Sequence, residues 1–397
     1  MLDLLAVVIT LSTLGLIIIR PGGAPEWVYA VTGLGALAAL GRVPLSEAVH
    51  TLSRTGPVLV FLLAVTVLAD AVERVGLFDA LALTAGRAAR NSGQRLLAGI
   101  LLVAFLVTTV LSLDATAVLL TPAVVAVIRL TRAPALPLVL GTVYVANAGS
   151  LLLPVSNLTN LLAANRLRGG LGLAAAMWPA QLAVLLMLWG LLAWWHRRAL
   201  RRPLSADLPA PTTAITDHRA AAVCAGATIA LLPAFLLTHG WPLAGSTVAA
   251  AAVACAFTDP RRTRIPWGVG AFVAALFVLV DAASAGPLGA FAQAAVHGAG
   301  PVRAGLVGAV AANVLNNLPA FLLLAPGVAN GAPLRGLLAG VNIGANLSMI
   351  GSLATLLWLA CLRPKGMAPS PLQFLKWGLV VTPLTLLPAL ALLTLIR

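Results

Sequence analysis

Apolar stretches of membrane-crossing length recur from one end of this chain to the other, and that recurrence narrows the possible folds more than any other feature. A helix crosses a bilayer with roughly 17–25 mostly apolar residues. Windows near that length lie at 3–19, 25–40, 55–72 and 172–195, and again at 220–238, 242–257, 267–281 and 372–395. Only 9% of the residues are charged and 60% are hydrophobic, against about 25% charge in a soluble domain, so no soluble fold has polar surface enough to cover them. Within lipid each backbone polar group needs an internal partner, which makes these windows helices. The short alternating segments of a membrane barrel are not seen. The expected fold class is therefore all-α, a polytopic membrane protein.

Four further apolar runs are broken at their centres. The run at 96–128 is interrupted by Ser112-Leu113-Asp114-Ala115-Thr116, and that at 304–328 by Asn316-Asn317-Leu318-Pro319. Both read as re-entrant hairpins of two half-length helices with a polar tip. The runs at 136–167 and 335–362 carry Asn147-Ala148-Gly149-Ser150 with Pro154 to Asn160, and Asn342-Ile343-Gly344 with Gly351 to Thr355. Gly and Pro withdraw side-chain support and a backbone donor there, so discontinuous helices are expected.

The breaks recur in matched order. At an offset of 195, Asn147, Gly149 and Leu158 meet Asn342, Gly344 and Leu353; at 211, Phe61, Ala64 and Asp70 meet Phe272, Ala275 and Asp281. The chain thus divides into a first repeat at 1–196, a hydrophilic linker at 197–218 and a second repeat at 219–397. Each repeat holds five crossings plus one hairpin, and an odd number inverts the second against the first. With the N-terminus outside, 18 of the 25 Lys and Arg residues fall on the cytoplasmic side and 7, including Arg335 and Arg397, outside. Positive residues favour the cytoplasm, so the linker is expected there and both termini in the periplasm of a cell inner membrane. The net charge of +14 is absorbed by this topology signal, and nothing points to nucleic acid. Leu4–Ile19 lacks a basic flank and reads as a retained helix rather than a signal peptide. Cys224, Cys255 and Cys361 are isolated, without ligand spacing, and no metal cluster, nucleophile triad or ATP-binding loop is present, so the chain is not expected to be an enzyme.

Paired broken segments in two halves mark a transporter's binding site. The candidates are Ser112, Thr116, Asn147, Ser150, Ser156, Asn157 and Thr159 from the first half, and Asn316, Asn317, Asn342, Gly351, Ser352 and Thr355 from the second. Their amides, hydroxyls and freed backbone groups suit a small polyhydroxylated solute, an oxyanion or a cation, or else serve only to satisfy the breaks. Asp114 is the one acidic residue deep in an apolar run away from a helix end; Asp70 and Asp281 lie at theirs. An intramembrane carboxylate is a functional candidate by default, and Asp114 is expected to carry a coupling proton, with sodium as the rival ion.

The strings Gly351-Ser352-Leu353-Ala354-Thr355-Leu356-Leu357-Trp358, Asn342-Ile343-Gly344-Ala345-Asn346-Leu347, Asn316-Asn317-Leu318-Pro319, Ala146-Asn147-Ala148-Gly149-Ser150 and Asp114-Ala115-Thr116 resemble those of the bacterial arsenite/antimonite efflux permeases. In segment order the resemblance covers nearly the whole chain. It implies two inverted repeats split into a scaffold, about 3–72 and 220–281, and a transport domain of hairpins and broken helices. It implies a homodimer with an elevator-like motion that exports trivalent arsenic and antimony, by proton exchange or with a soluble ATPase subunit, and no bound cofactor. The wider superfamily, with its sodium–dicarboxylate carriers and sodium/proton antiporters, supplies the alternative of ion-coupled anion transport or cation/proton antiport. One position departs: Leu113 stands where that family usually has Asn before the hairpin Asp.

Overall fold

The computed structural model describes residues 2–205 and 208–395. Arg397, assigned above to the outer face, and residues 206–207 of the linker lie outside the described residues. The first half runs α1 Leu2–Ile19, α2 Glu26–Ala39, α3 Leu45–Arg74, α4 Leu77–Ala88, α5 Gly93–Val110, α6 Leu113–Thr131, α7 Ala135–Ala148, α8 Leu158–Ala164 and α9 Gly169–Trp195. The second runs α10 His218–Leu237, α11 Gly240–Phe257, α12 Trp267–Ser284, α13 Pro287–Val296, α14 Pro301–Leu315, α15 Asn317–Leu324, α16 Ala332–Gly344, α17 Leu353–Leu362 and α18 Pro371–Leu395. Among the described residues, 8 helices are long and apolar enough to cross a membrane, and the chain is an all-α, multi-pass integral membrane protein.

Local chemistry sets the boundaries. Asp217 caps α10, its carboxylate accepting from the N–H groups of Arg219 and Ala220 at 2.8 and 3.0 Å. Proline opens α13, α14 and α18, where its missing N–H is no loss. Helix α3 extends to 30 residues, about 45 Å, ten residues earlier than the apolar window and straight through Pro57. The stretch 73–95, which contains no apolar window of crossing length, holds α4, whose Phe78, Ala82 and Leu83 are buried while Leu81 and Arg87 face outward. Its apolar residues repeat at helical spacing, a signal masked by its short length and the arginines around it, Arg74, Arg87 and Arg90.

Packing is set by small residues. Gly336, Gly340 and Gly344 lie on one face of α16, against Pro301, Gly305 and Ala309 of α14; a Cβ on Gly340 would sit 2.0 Å from the Gly305 carbonyl oxygen. Close backbone approach of this kind is how helices associate without a hydrophobic driving force between them. Helices α3 and α12, which carry the matched Phe61/Phe272 and Asp70/Asp281 positions, run antiparallel. Near the start of α3, Thr51 donates to Asp281 at 2.5 Å and Arg54 reaches the same carboxylate at 3.3 Å. At its end, Arg74 donates to the Asp259 carbonyl and the Thr263 hydroxyl, just before α12 begins. Helices α9 and α18 are antiparallel too, the ring of Trp195 lying 4.5 Å from that of Trp377.

The linker is not a free tether. Leu200, Leu204 and Leu208 are buried, Ser205 N–H donates to the Thr131 carbonyl at 3.0 Å, and Arg87 donates to the Leu208 carbonyl at 2.8 Å. Its hydrophilic composition hid three leucines at four-residue spacing.

Candidate functional site

The four breaks converge. In the first, α5 ends at Val110 and Ser112 adopts a fully extended backbone, its hydroxyl accepting from Ala115 N–H at 3.1 Å. Helix α6 then starts with Asp114 in its first turn and widens to a π turn over Thr116–Leu120, with Thr121 Oγ1 donating to the Thr116 carbonyl. The arms of this break are 18 and 19 residues long, full bilayer-crossing lengths rather than half-length. The second break has arms of 15 and 8 residues and turns at Asn316, with φ 79° and ψ 154°. Asn317 N–H donates to the Gly351 carbonyl at 3.0 Å, and Asn316 Nδ2 to that of Ile350 at 3.4 Å.

Between the tips lies a cavity of about 70 Å³. Its polar rim is Asp114 from the first tip, Asn316 and Asn317 from the second, Asn157 at the start of α8 and Ser352 at the start of α17; Leu14, Phe272 and Leu276 wall it. The first residues of α6, α8, α15 and α17 therefore all border one space. A wider cavity of about 540 Å³ shares Leu62, Asp114, Val269, Phe272 and Leu353 with it, and adds Ser112, Thr66, Asp70 and Glu26. No Lys, Arg or His lines either cavity among the described residues. Asp114 is half-buried, and its carboxylate has no hydrogen-bond or ion-pair partner among the described residues.

The other sequence candidates sit in the wall rather than the space. Asn147, Ser150, Ser156, Thr159, Asn342 and Thr355 are all fully buried. Asn147 Nδ2 donates to Thr355 Oγ1 at 3.0 Å and to Asn346 Oδ1 at 2.9 Å. Asn342 Nδ2 donates to Asn160 Oδ1 at 3.1 Å, while its own Oδ1 accepts from Asn157 Nδ2 and Thr159 Oγ1, both at 3.0 Å. At the offset of 195, Asn147 matches Asn342 and Asn160 matches Thr355, so each half's asparagine donates to the other half's partner position. A buried amide donor left unpaired costs about 1–3 kcal/mol, and this reciprocal exchange satisfies both donors while tying the two breaks together, although Asn147 Oδ1 stays buried without a partner among the described residues. Ser150 donates to the Asn147 carbonyl and Ser156 to that of Thr109. Thr116 is buried and exchanges a hydrogen bond of 2.7 Å with Thr108. Gly351 is a steric requirement: a Cβ there would lie 2.5 Å from the Ala345 carbonyl oxygen.

Three residues of the network escaped the sequence selection. Asn160 and Asn346 stand inside the quoted motifs and carry the cross-links just described. Asn313, one turn before the second tip, donates to the carbonyls of Ala309 and Gly344, both at 2.8 Å, and accepts from Ser348 Oγ at 2.6 Å. An amide within an apolar run was the available signal for it. No group of three or more His, Cys, Asp or Glu suited to a metal occurs among the described residues.

The chain is similar over most of its length to proteins called arsenical pump membrane protein. It is 26% identical over 352 residues to one from Yersinia enterocolitica, covering 81% of this chain and 82% of that one. It is 24% identical over 409 residues to one from Escherichia coli, with 96% and 95% covered. A putative arsenical pump membrane protein of Bacillus subtilis is 24% identical over 415 residues, with 93% and 94% covered. Residues 14–362 match the family described as CitMHS, citrate transporter. With apolar helices throughout, breaks that meet at one buried polar cavity, and a family match from Leu14 to Leu362, the chain is a membrane transporter, not an enzyme, and belongs to the CitMHS citrate-transporter family.

Proposed function

We propose that this chain is an ion-coupled secondary transporter whose solute occupies the tip cavity and whose coupling proton rides on Asp114. The observation that carries this is the convergence of helix starts on a small space that holds one unpartnered carboxylate and no cationic side chain. Helix N-termini carry positive partial charge and free N–H donors, so α6, α15 and α17 favour an oxygen-rich, anionic solute. The family description agrees with ion-coupled anion transport. A second, more specific reading is a smaller solute: the 70 Å³ between the tips suits a few heavy atoms, as in arsenite or antimonite, while the adjoining 540 Å³ leaves room for a larger anion. The name of the curated relatives, arsenical pump membrane protein, supports an arsenical solute; on this reading the chain exports trivalent metalloid in exchange for protons. Arsenite is neutral near pH 7, so its uphill export requires a coupled charge, and Asp114 is placed to carry one.

The proposed architecture is two inverted repeats, a scaffold built around α1–α3 and α10–α12, and an elevator-like transport domain containing the four breaks. The antiparallel α3 and α12 and the reciprocal asparagines support it. We place the linker in the cytoplasm of an inner-membrane homodimer, with both termini outside; a soluble ATPase partner is compatible with the linker's exposed arginines. Proteoliposomes carrying the purified chain distinguish the solutes. A pH gradient without sodium is expected to drive arsenite or antimonite accumulation. Citrate uptake with no metalloid flux would establish the anion reading instead, and an absolute need for sodium would remove the proton from the mechanism.

A further inference from the structure

The wider cavity contains a second carboxylate that the coupling scheme has not used. Asp70 lies four residues from the end of α3, and Leu62, Thr66, Ala69 and Asp70 form one face of that helix along the cavity. The inner end of this face, Leu62, also borders the tip cavity, as Asp114 does. From Leu62 to Asp70 is eight residues, about 12 Å of helix rise. The cavity of 540 Å³ is roomy enough for a chain of waters, and in a wall that is otherwise mostly apolar the hydroxyls of Thr66 and Ser112 give them partners between the two acids. The Asp70 side chain is 41% exposed and is held by Arg74 at 3.1 Å. The other charged groups near it are Glu26, which lines the same cavity and pairs with Arg20, and Glu73 on its own helix.

We propose that Asp70 is a second proton station, passing the coupling proton between Asp114 and the solvent at the Arg74 end of α3. During export the proton leaves the Asp114 carboxyl group, crosses the cavity through solvent anchored on the Thr66 oxygen, whose own proton is donated to the Leu62 carbonyl, and arrives on the Asp70 carboxylate. Asp114 is left ionised for the next cycle. Asp70 then releases the proton to solvent and returns to a carboxylate paired with Arg74, so no charge is left over. Glu26 is spoken for by Arg20 on the far wall and is not required.

This inference rests on Asp114 being the coupling site, and the test separates the two. Proton-driven metalloid transport is measured in proteoliposomes for Asp70→Asn, Asp70→Glu, Asp114→Asn and the double variant Asp70→Asn/Arg74→Gln. Asp70→Asn is expected to lower the maximal rate at least about tenfold with KM unchanged, because loss of one acid–base group typically costs 10²–10⁴ where proton transfer limits. Asp70→Glu restores most of it. The double variant stays slow, since removing Arg74 eliminates the unpaired cation but does not restore the missing carboxylate. Wild-type rates in Asp70→Asn with an inactive Asp114→Asn would overturn the Asp70 assignment alone. Recovery of the double variant to wild-type rate would make Asp70 merely Arg74's counter-ion, and so overturn it. Wild-type coupling in Asp114→Asn would overturn the coupling site itself, and Asp70 with it.

Discussion

The two tips that face each other across the cavity solve the same problem in opposite ways. The first, at Ser112–Asp114, is self-sufficient. Its extended residue is Ser112, whose own hydroxyl caps the helix that follows, and both arms are long enough to cross a membrane. The second, at Asn316–Asn317, depends on its neighbours. Asn316 sits at φ 79° and ψ 154°, a region open essentially to glycine alone, and its own side chain does not cap α15, where Asn317 Oδ1 accepts only from the next residue's N–H. It is held instead by the carbonyls of Ile350 and Gly351 from the loop between α16 and α17. The self-capped tip carries the charge, and the borrowed one carries amides. A tip stabilised from outside is coupled to whatever moves its support, whereas a locally capped tip keeps its carboxylate in place.

The sharpest way to break this contrast is to remove the charge. Asp114→Asn makes both tips amide-bearing and is expected to abolish gradient-driven accumulation, while the protein still folds and inserts at normal levels; full proton-driven transport in reconstituted vesicles would refute the division of roles. Next in size is the support of the second tip. Gly351→Ala forces a methyl group against the Ala345 backbone, and overpacking of that kind costs about 1–3 kcal/mol. A lowered thermal midpoint, with labelling of an Asn316→Cys reporter accelerated in the same background, is the expected result; an unchanged midpoint would mean that the second tip does not rely on this loop. The smallest effects run in opposite directions at the two turns. Ser112→Ala removes a cap worth about 1 kcal/mol and lowers the midpoint. Asn316→Gly relieves a strain of about 1–3 kcal/mol, partly offset by the entropy of a glycine, and raises it. Paired melting curves of the two variants that shift in the same direction would erase the distinction.

Much of this was legible before any coordinates. The breaks at 96–128, 136–167, 304–328 and 335–362 became helix interruptions within a few residues of the expected places, because Gly, Pro and runs of Asn, Ser and Thr act locally on a helix. Asp114, Asn157, Asn316, Asn317 and Ser352, chosen from sequence, now line one cavity. Composition was less informative where polar and apolar residues alternate at helical spacing: α4 lies in a stretch with no apolar window of crossing length, and the hydrophilic linker lies docked through Leu200, Leu204 and Leu208.

The sequence was sufficient for whatever depends on short-range physics: a bilayer as the solvent, helices as the only spanning element, where those helices break, and which acid stands alone in an apolar run. It could not separate the residues that face the cavity from those that hold the cavity's wall, since Asn147 and Asn157 are the same amide ten residues apart. Packing separates them. Asn147 and Asn342 are consumed by partners from the opposite half, 208 and 182 residues away, while Asn157 and Ser352 keep a face toward the space. Such pairings depend on how two distant segments dock, and docking is set by the shapes of whole helices, the glycine face of α16 against α14 among them, rather than by any residue's own preference.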